Sequence, residues 1–175
     1  MRVLTISGSL RTASSNTALL RAAAMVAPAG IEVEHYDGLG RLPHFNPDLD
    51  GETVPFAVQD LRARVVHADG IVFSVPEYAH GVPGSLKNAL DWLVGSSEFV
   101  NKPVALFNAS ARGVYAQASL TETLTVMTAR VLAGATVELM GRRIGAEQIA
   151  ADPEMSAALR GALEDFAANA CPDAA

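Results

Sequence analysis

Apolar and polar residues along the chain follow two alternating periods. Val3, Leu4 and Ile6 form a short apolar run, and Leu19, Leu20, Ala23 and Val26 then recur at helical spacing, which predicts a strand followed by a helix over 14–27. Residues 31–36 (IEVEHY) switch to alternation, the pattern of a half-covered strand near a sheet edge. Val58, Leu61 and Val65 restore the helical period over 55–67, and the nearly continuous apolar runs 70–75 (GIVFSV) and 102–108 (KPVALFN) predict strands buried on both faces. Leu86, Leu90 and Leu93 seat a helix between those two strands. A helix over 115–132 with Leu120, Leu124, Met127 and Val131 on one stripe follows, then a weaker strand over 135–144. A last helix over 153–170 carries Met155, Leu159, Leu163 and Phe166, with Pro153 at its first turn. Five strands alternating with five helices predict an α/β fold, a doubly wound five-stranded parallel sheet, because right-handed crossovers place helices on both faces.

A length of 175 residues with 50% hydrophobic and 18% charged content suits a single domain over 1–175 with a sizeable core. The formal net charge of -6 argues against a nucleic-acid or anionic-membrane surface, so an anionic ligand would have to be caught locally. No apolar run approaches the ~20 residues of a membrane span. The single Cys171 permits neither an intrachain disulfide nor a cysteine metal cluster, and Met1 leads straight into a strand, which together suit a cytoplasmic protein. The tail 171–175 (CPDAA) is expected to fray.

The stretch 7–17 (SGSLRTASSNT) lies at the first strand-to-helix turn and packs six hydroxyl residues, Asn16 and Arg11 into eleven positions. Gly8 permits a tight backbone excursion, Ser9, Thr12, Ser14, Ser15 and Thr17 offer hydroxyls, and Arg11 offers a planar fork of donors. With a helix N-terminus behind it, such a loop can hold a phosphate. Ser and Asn before a helix also serve as ordinary caps, although capping needs only one such residue. The stretch is neither GxGxxG nor GxxxxGK[ST], which removes support for a dinucleotide turn and for a P-loop.

In a doubly wound sheet, ligands bind beyond the carboxyl ends of the strands where strand order reverses, so the loops after strands one, three and four should meet. The loop after the third strand, 76–92 (PEYAHGVPGSLKNALDW), has Pro76, Gly81, Pro83 and Gly84 shaping a rigid turn beside Tyr78, a wall suited to a flat heteroaromatic ring; a capped helix opened by proline accounts for the same residues. Residues 38–52 (GLGRLPHFNPDLDGE) form a long connection, either a functional loop or a partner surface. No nucleophile and base pair stands out. Among the histidines, His35 reads as strand surface, His44 as loop, His67 as helix end, and His80 alone as a pocket residue.

The segments GSLRTASSN at 8–16, LPHFNPDLD at 42–50 and PEYAHGVPGSLKNALDW at 76–92 resemble, in order, the signatures of the NADPH-dependent FMN reductase family, flavodoxin-like proteins that include chromate, quinone and azo reductases. The resemblance implies that Ser9, Arg11, Ser14, Asn16 and Thr17 hold the FMN phosphate and that Pro76, Glu77, Tyr78 and Gly81 border the isoalloxazine ring, with Ser15, His80 and Ser110 also in the cofactor site. It implies no metal and no catalytic acid or base from the chain, since the flavin carries the chemistry. It also implies a homodimer or homotetramer, for which the 38–52 loop and the helix after Pro83 offer Leu42, Phe45 and Trp92, residues that could equally be core. The chain departs from the pattern at Ala79, where members often have Asn, and at His80, where an aromatic is commoner. It departs again at 110–117 (SARGVYAQ), where a glycine-rich turn ends in Arg-Ala-Gln.

The function so implied passes electrons from NADPH or NADH through FMN to a small acceptor: a flavin, a quinone, chromate or an azo compound. The absence of a second nucleotide fingerprint suggests that donor and acceptor use one site in turn, a ping-pong scheme. A flavodoxin-like electron carrier, or a non-enzymatic subunit that has lost flavin, would share the fold.

Overall fold

The computed structural model describes residues 1–139 and 144–170. Its elements are β1 (Arg2–Ser7), α1 (Ser15–Met25), β2 (Glu32–Tyr36), α2 (Phe56–His67), β3 (Gly70–Ser74), α3 (Gly84–Val94), β4 (Pro103–Asn108), α4 (Val114–Val126), β5 (Arg130–Val131), β6 (Ala135–Thr136), α5 (Ala146–Ala151) and α6 (Pro153–Ala170). The strands pair in parallel in the order β2-β1-β3-β4-β5, with β6 also on β4. This is the doubly wound, flavodoxin-like arrangement expected, and its order reverses between β1 and β3. β2 lies at an edge with alternating exposure, whereas β3 and β4 are buried throughout.

Strand parity divides the core. Leu4, Ile6, Ile71, Phe73, Val104 and Leu106 face α2, α3 and α4, and Val3, Val72, Ala105 and Phe107 face α1, α5 and α6. Each face is a separate apolar cluster, so both sides of the sheet are closed to water and the ligand-accessible backbone is left at the strand ends.

The chain between 114 and 139 departs from expectation. The helix expected over 115–132 stops at Val126, because Thr128 takes a left-handed conformation (φ 63°) and the chain closes with Ala129 N–H on Leu124 O at 3.0 Å and Thr128 N–H on Thr125 O at 2.9 Å. That is a Schellman stop, made here by a β-branched residue instead of the usual glycine. The fifth strand is also broken. Arg130 faces Pro103, but Ala135, five residues on, faces Phe107, only four on, so one residue is extra on the β5–β6 side. The chain passes so close to β4 there that a Cβ on Gly134 would lie 2.0 Å from Leu106 O. The extra residue reverses side-chain parity: Leu132 packs toward α1 and α6, and after the break so do Ala135, Val137 and Leu139. Short α5 had no expected counterpart, and the part of the expected strand at 140–143 lies outside the described residues, as do Cys171 and the tail.

The 38–52 connection is fastened to the helices beneath it. Asn88 donates to Pro43 O at 2.9 Å and accepts from Phe45 N–H at 2.7 Å, while Trp92 Nε1 donates to Pro43 O at 2.8 Å. Phe45 packs edge-on against Trp92 with ring centres 5.1 Å apart, and Arg62 pairs with Asp50 at 2.9 Å. Trp92 is fully buried, so of its two readings the structure selects the core residue.

Candidate functional site

At the carboxyl ends of β1, β3 and β4 the loops converge on a cavity of about 850 Å³. This lies within the range of pockets that enclose small ligands and cofactors. Of the residues singled out in the sequence, Ser15, Asn16, Pro76, Glu77 and Ser110 line it. Val75, Asn108, Ala109, Ala111, Arg112, Gly113, Glu138 and Leu139 complete the wall.

The first loop presents backbone more than side chains. The N–H groups from Thr12 to Asn16 have no acceptor among the described residues, and they stand at the positive end of α1. Asn16 is held by Ser74, whose hydroxyl donates to Asn16 Oδ1 at 2.9 Å, which leaves the Asn16 amide hydrogens as donors at the cavity. Several hydroxyls are engaged inside the loop. Ser14 is the N-cap of α1 and accepts from Thr17 N–H at 3.3 Å; Thr17 Oγ1 donates to Ser7 Oγ at 2.8 Å; Ser9 Oγ accepts from Arg11 N–H at 3.3 Å. Ser9, Ser14 and Thr17 thus shape the loop and are not part of the cavity lining, and the Arg11 side chain is exposed and takes part in no salt bridge among the described residues.

The second loop runs through Pro76 and Glu77 and then turns back on itself. Tyr78 N–H and Gly81 O are 3.2 Å apart and Gly81 N–H and Tyr78 O 2.9 Å, with Ala79 (φ 48°) and His80 (φ 59°) both left-handed between them. This is a type I′ turn, which Asn and Gly adopt most readily. His80 stacks on Tyr115 with ring centres 4.2 Å apart. Tyr78, His80 and Gly81 are not part of the cavity lining. Glu77 instead points its carboxylate at α4: Oε2 accepts from Tyr115 N–H at 2.8 Å and Ala116 N–H at 3.0 Å. The residue at the α4 N-cap, Gly113, has no side chain to do this.

The third loop carries the wall residues that the sequence reading did not place in the site. Ser110 Oγ accepts from Arg112 N–H at 3.2 Å, and Glu138 Oε2 accepts from Ala111 N–H at 2.8 Å. Glu138 reaches this loop because the extra residue before β6 turns its side chain away from the α1 face that Val137 and Leu139 pack against. A second groove, about 610 Å³, lies between α2 and the starts of β1 and β2, where Arg64 is already paired with Asp60 and Glu34. Burial pushes the Tyr36 phenol up to about 12 and the His35 imidazole down; both stand on β2, away from the larger cavity.

A family model described as NADPH-dependent FMN reductase matches residues 1–140. The chain belongs to this family. Its sequence is 41% identical over 113 residues to an NAD(P)H-dependent FMN reductase of Pseudomonas aeruginosa, a match covering 63% of this chain and 60% of that protein. It is 38% identical over 117 residues to a quinone reductase of Escherichia coli, covering 65% and 62% respectively. The chain thus spans 60% of the length of the first of these relatives and 62% of the second. Among solved structures it is similar to the flavoenzyme NAD(P)H:(acceptor) oxidoreductase of Paracoccus denitrificans, with a TM-score of 0.73 and 29% identity over 94% of both chains. The family's name carries two cofactors, FMN and NADPH, and the open N–H groups of α1 and the donors of Asn16 suit an FMN phosphate and its ribityl chain. Among the described residues no helix is long and apolar enough to cross a membrane.

Proposed function

We propose that this chain, as one domain over 1–175, is an FMN-dependent NAD(P)H oxidoreductase acting on a small acceptor such as a quinone, a flavin, chromate or an azo compound. The observation that carries this is the convergence of the α1 N-terminus, the Pro76–Glu77 wall and the loop after β4 on one cavity at the point where strand order reverses. When bound, FMN supplies the chemistry, taking electrons from the nicotinamide donor and delivering them to the acceptor. The chain's part is to hold and orient. The N–H groups from Thr12 to Asn16, the Asn16 amide and the Ser15 hydroxyl face the phosphate end, and Ser9, Ser14 and Thr17 keep the loop in shape. Arg11 is the loop's cation and would pair with the phosphate. Pro76, Glu77 and Ser110 border the ring, and Tyr78, His80 and Gly81 form the turn beyond it.

A donor's 2′-phosphate would be read by a loop arginine such as Arg41 or Arg112; Arg41 is paired with Asp37 whereas Arg112 lines the cavity, which favours Arg112. One cavity serving donor and acceptor in turn gives ping-pong kinetics. The reading includes a cytoplasmic, homodimeric enzyme. α4 carries Glu122 as its single charge and exposes Val114, Tyr115 and Val126, an apolar surface suited to a second copy. The test is the visible spectrum of the purified protein followed by steady-state turnover with NADPH and a quinone. A flavin spectrum and parallel double-reciprocal lines are expected; a colourless protein that takes up no added FMN overturns the reading, and intersecting lines overturn the single shared site. Sedimentation as a monomer at micromolar concentration would reject the dimer.

A further inference from the structure

β4 is apolar until its last residue. Asn108 ends it, is 8% exposed, and has the strand parity of Val104 and Leu106. Its backbone oxygen accepts from Val137 N–H at 2.8 Å, but its carboxamide makes no hydrogen bond to any described residue, and Oδ1 is buried without a partner. A buried amide left in this state costs stability, and a polar group so placed in a folded protein calls for a partner the protein itself does not contain. Asn108 lines the cavity from the end of β4, two strands away from β1, after which α1 brings Ser15 and Asn16 to the same cavity.

We infer that Asn108 is a cofactor-binding residue whose carboxamide reads the pyrimidine edge of the isoalloxazine ring. This rests on FMN being the cavity's resident. The edge offers carbonyl, N3–H and carbonyl in sequence, an acceptor, a donor and an acceptor. A carboxamide has one acceptor and two donor hydrogens in one plane, so it pairs with two adjacent members of that set, as Asn and Gln pair with the edge of adenine. No other side-chain amide lines the cavity except Asn16, which Ser74 holds at the phosphate end.

The test titrates apo protein with FMN and, separately, with 3-methyl-FMN, whose N3 carries no hydrogen, following flavin fluorescence. Wild type binds FMN tenfold or more tightly than 3-methyl-FMN, about the effect of one hydrogen bond in a buried site. Asn108→Leu, close in size, removes the unpartnered amide. Its apo form melts no lower than wild type, its FMN affinity falls about tenfold or more, and its preference between the two flavins is largely lost. Asn108→Asp keeps the shape, loses the donor hydrogens and weakens FMN as well, and it carries the test where the Leu variant does not fold. Wild-type FMN affinity in both variants overturns the inference. So does an apo Leu variant that melts well below wild type with FMN binding intact, which would make Asn108 a residue of the fold. Equal weakening of both flavins moves the contact to the ribityl chain and overturns the edge assignment. A wild-type protein that takes up no FMN refutes the functional reading itself, and the inference with it.

Discussion

Glu77 ties the Pro76–Glu77 wall of the cavity to the start of α4, and its removal should be felt in both. Its Oε2 accepts two backbone N–H bonds, from Tyr115 and Ala116, at a helix N-terminus where Gly113 offers no side-chain cap. Losing a side-chain N-cap costs about 0.5–2 kcal/mol, and losing a negative charge at the positive end of a helix costs about 0.3–1 kcal/mol. Glu77 is partly exposed, which discounts the charge part, so Glu77→Ala should cost about 2 kcal/mol in total. For a chain of this length that lowers Tm by about 4–8 °C. Glu77→Gln keeps an acceptor oxygen and gives up the charge, and should lose about 1 kcal/mol or less. Thermal unfolding of the apo proteins, followed by circular dichroism, reads these differences without interference from bound flavin. FMN titration then reports the wall: the Ala variant should bind more weakly than its Gln counterpart, because the α4 start that follows the loop 109–113 has lost the carboxylate holding it against Pro76–Glu77. An Ala variant melting within about 1 °C of wild type would refute the cap, and Gln behaving like Ala would show that charge, not the accepted hydrogen bonds, carries the effect.

Thr128→Gly should raise stability by about 1 kcal/mol, since relief of a left-handed β-branched residue exceeds the entropy that glycine adds to the unfolded chain; a lower Tm would show that the Thr128 hydroxyl, which donates to Met127 O at 2.6 Å, matters more. His35 is held neutral chiefly by burial, with Arg21 adding to the shift and Asp37 opposing it. Its folded pKa lies below the unfolded value of about 6.5, so the stability it contributes is complete above that value and is lost as pH falls through the folded one. His35→Gln should therefore melt progressively closer to, or above, wild type as pH is lowered from about 7 to about 5, and a pH-independent difference would refute this. Arg11→Ala should weaken FMN binding by about 1.5–3 kcal/mol, the range for a hydrogen bond to a charged group, and equal affinity in titration would remove Arg11 from the site.

The layered fold was legible because its signals are periodic and local. Runs such as GIVFSV and KPVALFN can be buried on both faces only within a parallel sheet, and IEVEHY alternates because β2 lies at an edge. The Pro153–Ala170 helix was read with its ends in place. What was missed lacked a local signal. Thr128 ends α4 in a conformation that glycine usually marks, and the apolar stripe through Val131 continues past it, so periodicity ran the helix on into β5. α5 is six residues long, too short to show a period. Within the site, residue type identified hydroxyls and Arg11, but it could not say which hydroxyls the loop would use internally. Ser14 as a cap and Thr17 as a donor to Ser7 are decided by tertiary geometry.

Glu138 shows why a site can depend on a feature far from any motif. With regular pairing, residue 138 would share the face of Leu132 and turn toward α1 and α6. The extra residue between Arg130 and Ala135 inverts that parity, so Val137 and Leu139 become core and Glu138 faces Ala111. The inversion is accommodated where Gly134 lets the chain pass against the carbonyl of Leu106. A bulge of this kind leaves no trace in hydrophobic spacing beyond making the strand look weak, which is how 135–144 read. The same irregularity supplies a side-chain anchor for the loop after β4. Glu138 accepts from Ala111 N–H in the loop and Glu77 from Tyr115 and Ala116 N–H at the start of α4, while the Asn108 carboxamide has no partner among the described residues. The loop and the helix start after it are therefore held by carboxylates on their backbone, and the group left over is the one polar enough, and buried enough, to discriminate between ligands at the ring end of the cavity.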